Sequence, residues 1–84
     1  MIEVRNLAKT SDSCPAQWVG EVGEQGGVYI RYRRGTLGVY HSPENRDASL
    51  GALVFERQLG SKYEGELDTE IMKELTSFVC RFPE

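Results

Sequence analysis

The chain has 84 residues, of which 39% are hydrophobic and 27% are charged. This length suits one small domain with a single core, and the apolar content argues against disorder of the whole chain. No run of about 18 apolar residues is present and the N-terminus has no signal-peptide pattern, so we expect a cytoplasmic protein without a membrane-bound part. The formal net charge of −3 argues against nonspecific binding to polyanions.

The N-terminal third contains two predicted strands separated by a loop. Ile2 and Val4 alternate with charged residues and predict a short edge strand. Residues 8–14 carry no patterned apolar residue, so we expect a mobile loop there. Alternation resumes at Gln17 and continues to Val22, with Trp18 on the inner side of the predicted strand.

A β-hairpin is predicted around Arg34 and Gly35. Apolar and polar residues alternate over 28–33 and again over 36–41, and the two residues between them form a plausible two-residue turn. A shift of one residue would mix the apolar and polar faces, so the pattern specifies the pairing. The predicted partners are Arg33 and Thr36, Tyr32 and Leu37, Arg31 and Gly38, Ile30 and Val39, and Tyr29 and Tyr40.

The following segment predicts a loop and then one more strand. Residues 41–49 are polar and have no apolar period, so we expect a second mobile loop. Residues 53–57 alternate again, with Leu53 and Phe55 predicted to point inward.

The C-terminal segment changes to a helical period. Asp68 is suited to be the N-cap of a helix, and Leu67 and Met72 have the spacing of a hydrophobic staple. Pro83 limits how far the helix continues. The predicted apolar stripe consists of Ile71, Met72, Leu75, Phe78 and Val79.

These elements predict one α+β domain over residues 1–84. The expected architecture is an antiparallel β-meander of three to four strands with one C-terminal amphipathic helix packed on its apolar face, because this arrangement buries both apolar stripes.

The sequence lacks the residues that most kinds of enzymatic catalysis need. The single histidine, His41, is predicted to lie at a strand end, and no nucleotide-binding glycine motif is present. The two cysteines, Cys14 and Cys80, lack the spacing of a redox or zinc motif; we expect free thiols, with Cys80 in the core. We therefore predict a protein that is not an enzyme and has no cofactor and no metal site.

The candidate binding residues are Tyr29, Arg31, Arg33 and Tyr40, which share the outer side of the predicted hairpin, with Arg34 beside them at the turn. Three interpretations stay open for this face. It is a solvated or internally covered face, a surface that binds a protein partner, or a surface that binds single-stranded nucleic acid. We predict a small protein-interaction domain that uses this face or an edge strand, with single-stranded nucleic-acid binding as the alternative.

Two runs of the sequence resemble a known pattern. Residues 14–18 (CPAQW), then Gly20, and residues 28–39 (VYIRYRRGTLGV) are similar to a hairpin pattern in small uncharacterised bacterial and phage-associated proteins. Those proteins also resemble this chain in ending with an acidic turn and a short helix, here 67–76. The resemblance covers about two thirds of the chain and implies no activity.

Overall fold

The fold is described from a computed structural model of residues 1–12, 15–60 and 66–83. No helix within these residues is long and apolar enough to cross a membrane. In chain order the elements are β1 (Ile2–Glu3), β2 (Arg5–Ser11), β3 (Ala16–Val22), β4 (Gly26–Arg33), β5 (Thr36–Ser42), β6 (Ala52–Gln58), α1 (Thr69–Leu75) and β7 (Cys80–Arg81).

One antiparallel sheet contains β2 to β6, and its strands lie side by side in the order of the chain. The predicted α+β meander is confirmed in this coarse form. The sheet has five strands, however, rather than three or four, and α1 is only 7 residues long. The two remaining strands, β1 and β7, form a separate small sheet.

The additional strand, β2, lies where the sequence predicts none. Residues 8–11 belong to it, so the predicted loop at 8–14 is wrong for that stretch, while Ser13 and Cys14 lie outside the described residues. The pairing of β2 with β3 shifts register twice. A bulge changes the face on which the following side chains lie. Apolar residues therefore do not recur at every second position of β2, although its backbone pairs with β3.

The hairpin of β4 and β5 has the predicted register throughout, with Ile30 opposite Val39. Arg34 and Gly35 have φ angles of 52° and 79°. These left-handed values at both central positions are those of a type I′ turn, whose twist matches that of the flanking strands.

The core lies between the inner face of the sheet and α1, as predicted. Trp18 is fully buried, and its indole nitrogen donates a hydrogen bond to the hydroxyl oxygen of Thr69 at 2.9 Å. This bond joins β3 to the first residue of α1. The buried residues of the core cluster are Val4, Ala16, Trp18, Val28, Ile30, Tyr32, Leu37, Val39, Leu67, Met72 and Cys80.

Strand β6 departs from the predicted alternation. Phe55 pairs with Val39 and packs against the core, as predicted. Leu53 instead pairs with Tyr40 on the outer face and is 47% exposed. An extra residue, Val54, separates the two pairs, and such a bulge reverses the alternation beyond it. The prediction that Leu53 points inward is therefore wrong.

Helix α1 begins as the sequence predicts. The carboxylate of Asp68 accepts a hydrogen bond from the backbone nitrogen of Glu70 at 2.7 Å, which makes it the N-cap. Leu67 and Met72, the predicted hydrophobic staple, are both buried in the core. The acidic side chain of Glu70 lies in the first turn, where it interacts favourably with the helix dipole.

The helix ends earlier than the apolar stripe suggests. It stops at Leu75, and the next residue, Thr76, is fully buried with its hydroxyl bonded to the carbonyl oxygen of Met72 at 2.9 Å. The backbone nitrogen of Ser77 then donates to the carbonyl oxygen of Glu74, three residues back, at 3.3 Å, so the α-helical spacing of four residues ends here. Phe78 consequently lies outside the helix and is 77% exposed, so its predicted core position is wrong.

The chain instead returns to strand, and β7 pairs in parallel with β1, placing Ile2 beside Cys80. The backbone nitrogen of Val4 donates to the carbonyl oxygen of Arg81 at 2.8 Å. Gly20 allows Val4 to lie against β3, because a methyl group at that position would collide with the Val4 side chain. The predicted core position of Cys80 is confirmed.

The segment between β5 and β6 folds over the turn that joins β3 and β4. The first two residues of the predicted loop at 41–49, His41 and Ser42, belong to β5, so the loop begins at residue 43. The Arg46 side chain anchors this segment. Its guanidinium donates to the carbonyl oxygens of Gly23, Glu24 and Gly26 at 3.3, 2.7 and 2.7 Å.

Candidate functional site

The candidate residues lie on the outer face of the sheet, opposite the core. The strand register aligns two tyrosines and two aliphatic residues across β3, β4, β5 and β6. We call these residues the aromatic row; they are Val19, Tyr29, Tyr40 and Leu53.

The two tyrosines of the aromatic row pack against each other. Their ring centroids are 5.8 Å apart with the planes tilted by 40°, a geometry typical of aromatic pairs in proteins. The hydroxyl oxygen of Tyr29 accepts a hydrogen bond from the Gln17 side-chain amide at 2.8 Å. Val19 and Leu53 at the two ends are 38% and 47% exposed. The row is thus a partly exposed apolar strip with its central rings held in position.

A polar groove lies next to the aromatic row, toward the turn of the β4–β5 hairpin. Its volume is about 300 Å³, at the lower end of the range of roughly 300–1,000 Å³ for ligand sites. We call it the arginine groove because three of its lining residues are arginines. The lining residues are Arg31, Arg33, Arg34, Thr36, Gly38, Tyr40 and Glu56.

Gly38 forms the floor of the arginine groove. It lies between Arg31 of β4 and Glu56 of β6 in the strand register. A Cβ atom at this position would lie 3.3 Å from a ring carbon of Tyr40, so the Tyr40 ring packs closely over the glycine. Gly38 therefore has the cationic Arg31 on one side and the acidic Glu56 on the other.

Arg31 is held on one side of this groove by Tyr40. Its guanidinium carbon lies 5.8 Å from the centre of the Tyr40 ring, and its Nη2 is 3.5 Å from the Tyr40 hydroxyl oxygen. A cation over an aromatic face is attracted by the ring electrons. Arg31 therefore lies along Tyr40 rather than across Gly38.

The three arginines of the groove form no ion pair with a carboxylate of the described residues. The ion pairs within the described parts of the chain involve Lys9, Arg46 and Lys73, and none involves Arg31, Arg33 or Arg34. An acidic protein thus carries a local concentration of positive charge at one end of its sheet. Such a concentration attracts an anionic group.

The structure brings together the residues selected from the sequence, because Tyr29, Arg31, Arg33 and Tyr40 lie on one face. Sequence reasoning missed Leu53, since the bulge at Val54 moves it to this face. The sequence pattern provides no signal for that bulge.

Two side chains outside this face, His41 and Cys80, are wholly or partly buried. His41 is the second-last residue of β5, as predicted, and its Nε2 is buried with no hydrogen-bond partner among the described residues. Burial raises the pKa of the Cys80 thiol to about 11, so the thiol is protonated and unreactive at neutral pH. No cluster of metal-binding side chains occurs within residues 1–12, 15–60 and 66–83.

Comparisons of the chain with protein-family models, curated proteins and solved structures give no match. The resemblance to small bacterial and phage-associated proteins therefore stays a prediction. The site has to be interpreted from its own geometry.

Proposed function

We propose that this chain is a non-enzymatic protein-interaction domain that binds a partner protein through the outer face of its sheet. One observation carries the proposal: the partly exposed aromatic row lies directly beside three arginines that have no ion pair with a described residue. Tyrosine and arginine are enriched among the residues that contribute most to protein–protein binding, where a desolvated anchor is flanked by polar contacts.

The sheet edge is a less suitable surface than the outer face. The edge strand β6 contains Glu56 and Arg57, and both are exposed. Charged side chains on an edge strand disfavour pairing with a further strand. The face therefore supports the proposal better than the edge.

Single-stranded nucleic acid is the alternative ligand, and two features make it a poorer fit. Bases stack on open aromatic faces, whereas Tyr29 and Tyr40 pack against each other and Arg31 covers the Tyr40 ring. The carboxylate of Glu56 in the groove and the net charge of −3 also repel a chain of phosphates.

Site-specific photo-crosslinking in the native cells tests the proposal. A benzoylphenylalanine is introduced at Tyr40 and, as a matched control, at Phe78, which is exposed in the segment between α1 and β7. We expect one defined protein to be crosslinked from position 40 and not from position 78. Tyr40→Ala should weaken binding of that protein by about 30-fold, the effect of losing roughly 2 kcal/mol, and Phe78→Ala should leave it within twofold.

The proposal fails if position 40 captures no specific protein or the same proteins as position 78. A second measurement separates nucleic acid from protein. Fluorescence anisotropy with a mixed-sequence single-stranded oligonucleotide at low salt should show no saturable micromolar binding. Saturable binding whose log–log salt slope of about 0.7 per phosphate contact flattens in an Arg31→Ala, Arg33→Ala double variant would instead establish the nucleic-acid alternative.

A further inference from the structure

The arginine groove has the chemistry of a carboxylate site. A guanidinium group presents a planar set of N–H donors that matches the two oxygens of a carboxylate. Three such groups, from Arg31, Arg33 and Arg34, line one groove of about 300 Å³. Gly38, which has no side chain, lines the same groove.

The orientation of Arg31 favours binding without rearrangement. Its contact with the Tyr40 ring restrains a long side chain before any ligand arrives. A group that is already ordered loses less conformational entropy when it forms hydrogen bonds. Tyr40 also belongs to the aromatic row, so one residue joins the cationic groove to the apolar strip.

A carboxylate fits this groove better than a run of phosphates. Glu56 lines the groove across Gly38 from Arg31, so an acidic group is already present at one wall. A single monoanion placed near the arginines tolerates this neighbour better than a dianion or a polyanion, because like-charge repulsion grows with ligand charge.

The spacing between the arginine groove and the aromatic row restricts the ligand further. Arg31 in the groove and Tyr29 in the aromatic row are two residues apart on β4, which is roughly 7 Å along a strand. Residues n and n+2 of an extended peptide also face the same side at this spacing. A segment lying along β4 would thus present an acidic residue to the groove and an apolar residue to the row.

We propose that the arginine groove binds the side-chain carboxylate of an extended acidic segment in the partner protein, whose apolar residue two positions away packs on the aromatic row. This inference rests on the proposed function and specifies the chemistry of its partner. The inference rests on the charge complementarity between an acidic segment and three arginines that have no ion pair with a described residue.

The test is a selection from a displayed library of random ten-residue peptides against the intact chain. We expect the selected peptides to be enriched in Asp or Glu two positions from an apolar or aromatic residue. Replacing that acidic residue of a selected peptide with Gln or Asn should lower its affinity about tenfold or more, as expected for losing a charge-assisted hydrogen bond.

Two variants examine the groove without disturbing the core. Gly38→Val places a side chain that strands favour in the groove, and the Tyr40 ring, 3.3 Å from the new Cβ, must shift by a few tenths of an ångström. Arg33→Gln combined with Arg34→Asn removes two guanidinium groups and leaves an Asn-Gly turn. Both should lower the affinity for the selected peptide about tenfold or more, with unchanged circular dichroism.

Arg57→Ala is the matched control. Arg57 is exposed on the neighbouring strand, but it pairs with the inward-facing Leu37 and so belongs to the opposite side of the sheet. Its removal should leave the affinity within twofold. An equal loss in this control would mean that net charge alone controls binding, and would overturn the inference.

Other outcomes are also decisive. Selected peptides without acidic enrichment, or full affinity in both groove variants, overturn the carboxylate site, while the proposed function stands if crosslinking at Tyr40 still depends on the aromatic row. Tighter competition by a single-stranded oligonucleotide than by the acidic peptide overturns it in favour of nucleic acid. Failure of both the selection and the crosslinking overturns the inference and the proposed function together.

Discussion

The indole nitrogen of Trp18 and the hydroxyl oxygen of Thr69 are joined by a hydrogen bond of 2.9 Å, although the two residues are 51 positions apart. Trp18 is fully buried on the inner face of the sheet, and Thr69 is the first residue of α1. The bond satisfies a donor that has been removed from water. It also ties the first residue of the short helix to β3.

Thr69→Val should destabilise the domain by about 1 to 2 kcal/mol. Valine keeps the shape of the side chain but leaves the Trp18 N–H without its acceptor, and an unpaired buried donor costs this much. The measurement is the free energy of unfolding from a urea titration. Thr10→Val, at an exposed position of β2, is the control and should change stability by less than about 0.5 kcal/mol. Equal effects would contradict a specific role for the hydrogen bond.

Met72→Ala should cost more stability than Leu75→Ala. The sequence places Leu75 at the centre of the helical stripe, but in the structure Met72 is fully buried and Leu75 is only partly buried near the helix end. We expect a loss of about 2 to 4 kcal/mol for Met72 and about half of that for Leu75. Denaturant titrations of the two variants give the comparison. A larger loss at Leu75 would mean that α1 packs through a different side.

Arg34→Asn should stabilise the β4–β5 hairpin by about 0.5 kcal/mol. Arg34 has a φ of 52°, a left-handed conformation that costs most residues energy and that asparagine tolerates better. Thermal unfolding followed by circular dichroism measures the gain. Arg33→Asn removes the same charge from a strand position instead, and it should be neutral or destabilising because asparagine is disfavoured in strands.

The Cys80 thiol should make stability depend on pH in the alkaline range. Burial raises its pKa from 9.0 to about 11, so the folded state keeps a proton that the unfolded state loses. The stabilisation is therefore complete below pH 9 and is lost as the pH rises through 11. In a Cys14→Ser background, the stability difference from a Cys80→Ala variant should shrink between these values. A difference that is constant with pH would contradict the burial of the thiol.

Local patterns in the sequence determine the β4–β5 hairpin and the start of α1. The alternation of β4 and β5 around Arg34 and Gly35 allows only one register that separates Ile30 and Val39 from Tyr29 and Tyr40. The N-cap Asp68 likewise acts on a backbone nitrogen only two residues away. Interactions over such short distances along the chain depend on few neighbours, which is why the hairpin, its outer face and the start of α1 were predictable.

Tertiary structure alone decides the features whose partners are distant in the chain. Val4 reaches β3 because Gly20 leaves room for it, and residues 2 and 80 meet in a parallel pair whose ends are separated by nearly the whole sequence. The bulge at Val54 moves Leu53 to the outer face and completes the aromatic row. A bulge or a long-range strand pairing is selected by the energy of the whole fold. The periodicity of apolar residues within one segment therefore does not predict these three features. The residue types of the outer face can thus be read locally, whereas the groove between Arg31 and Glu56 exists only because three strands bring them to either side of Gly38.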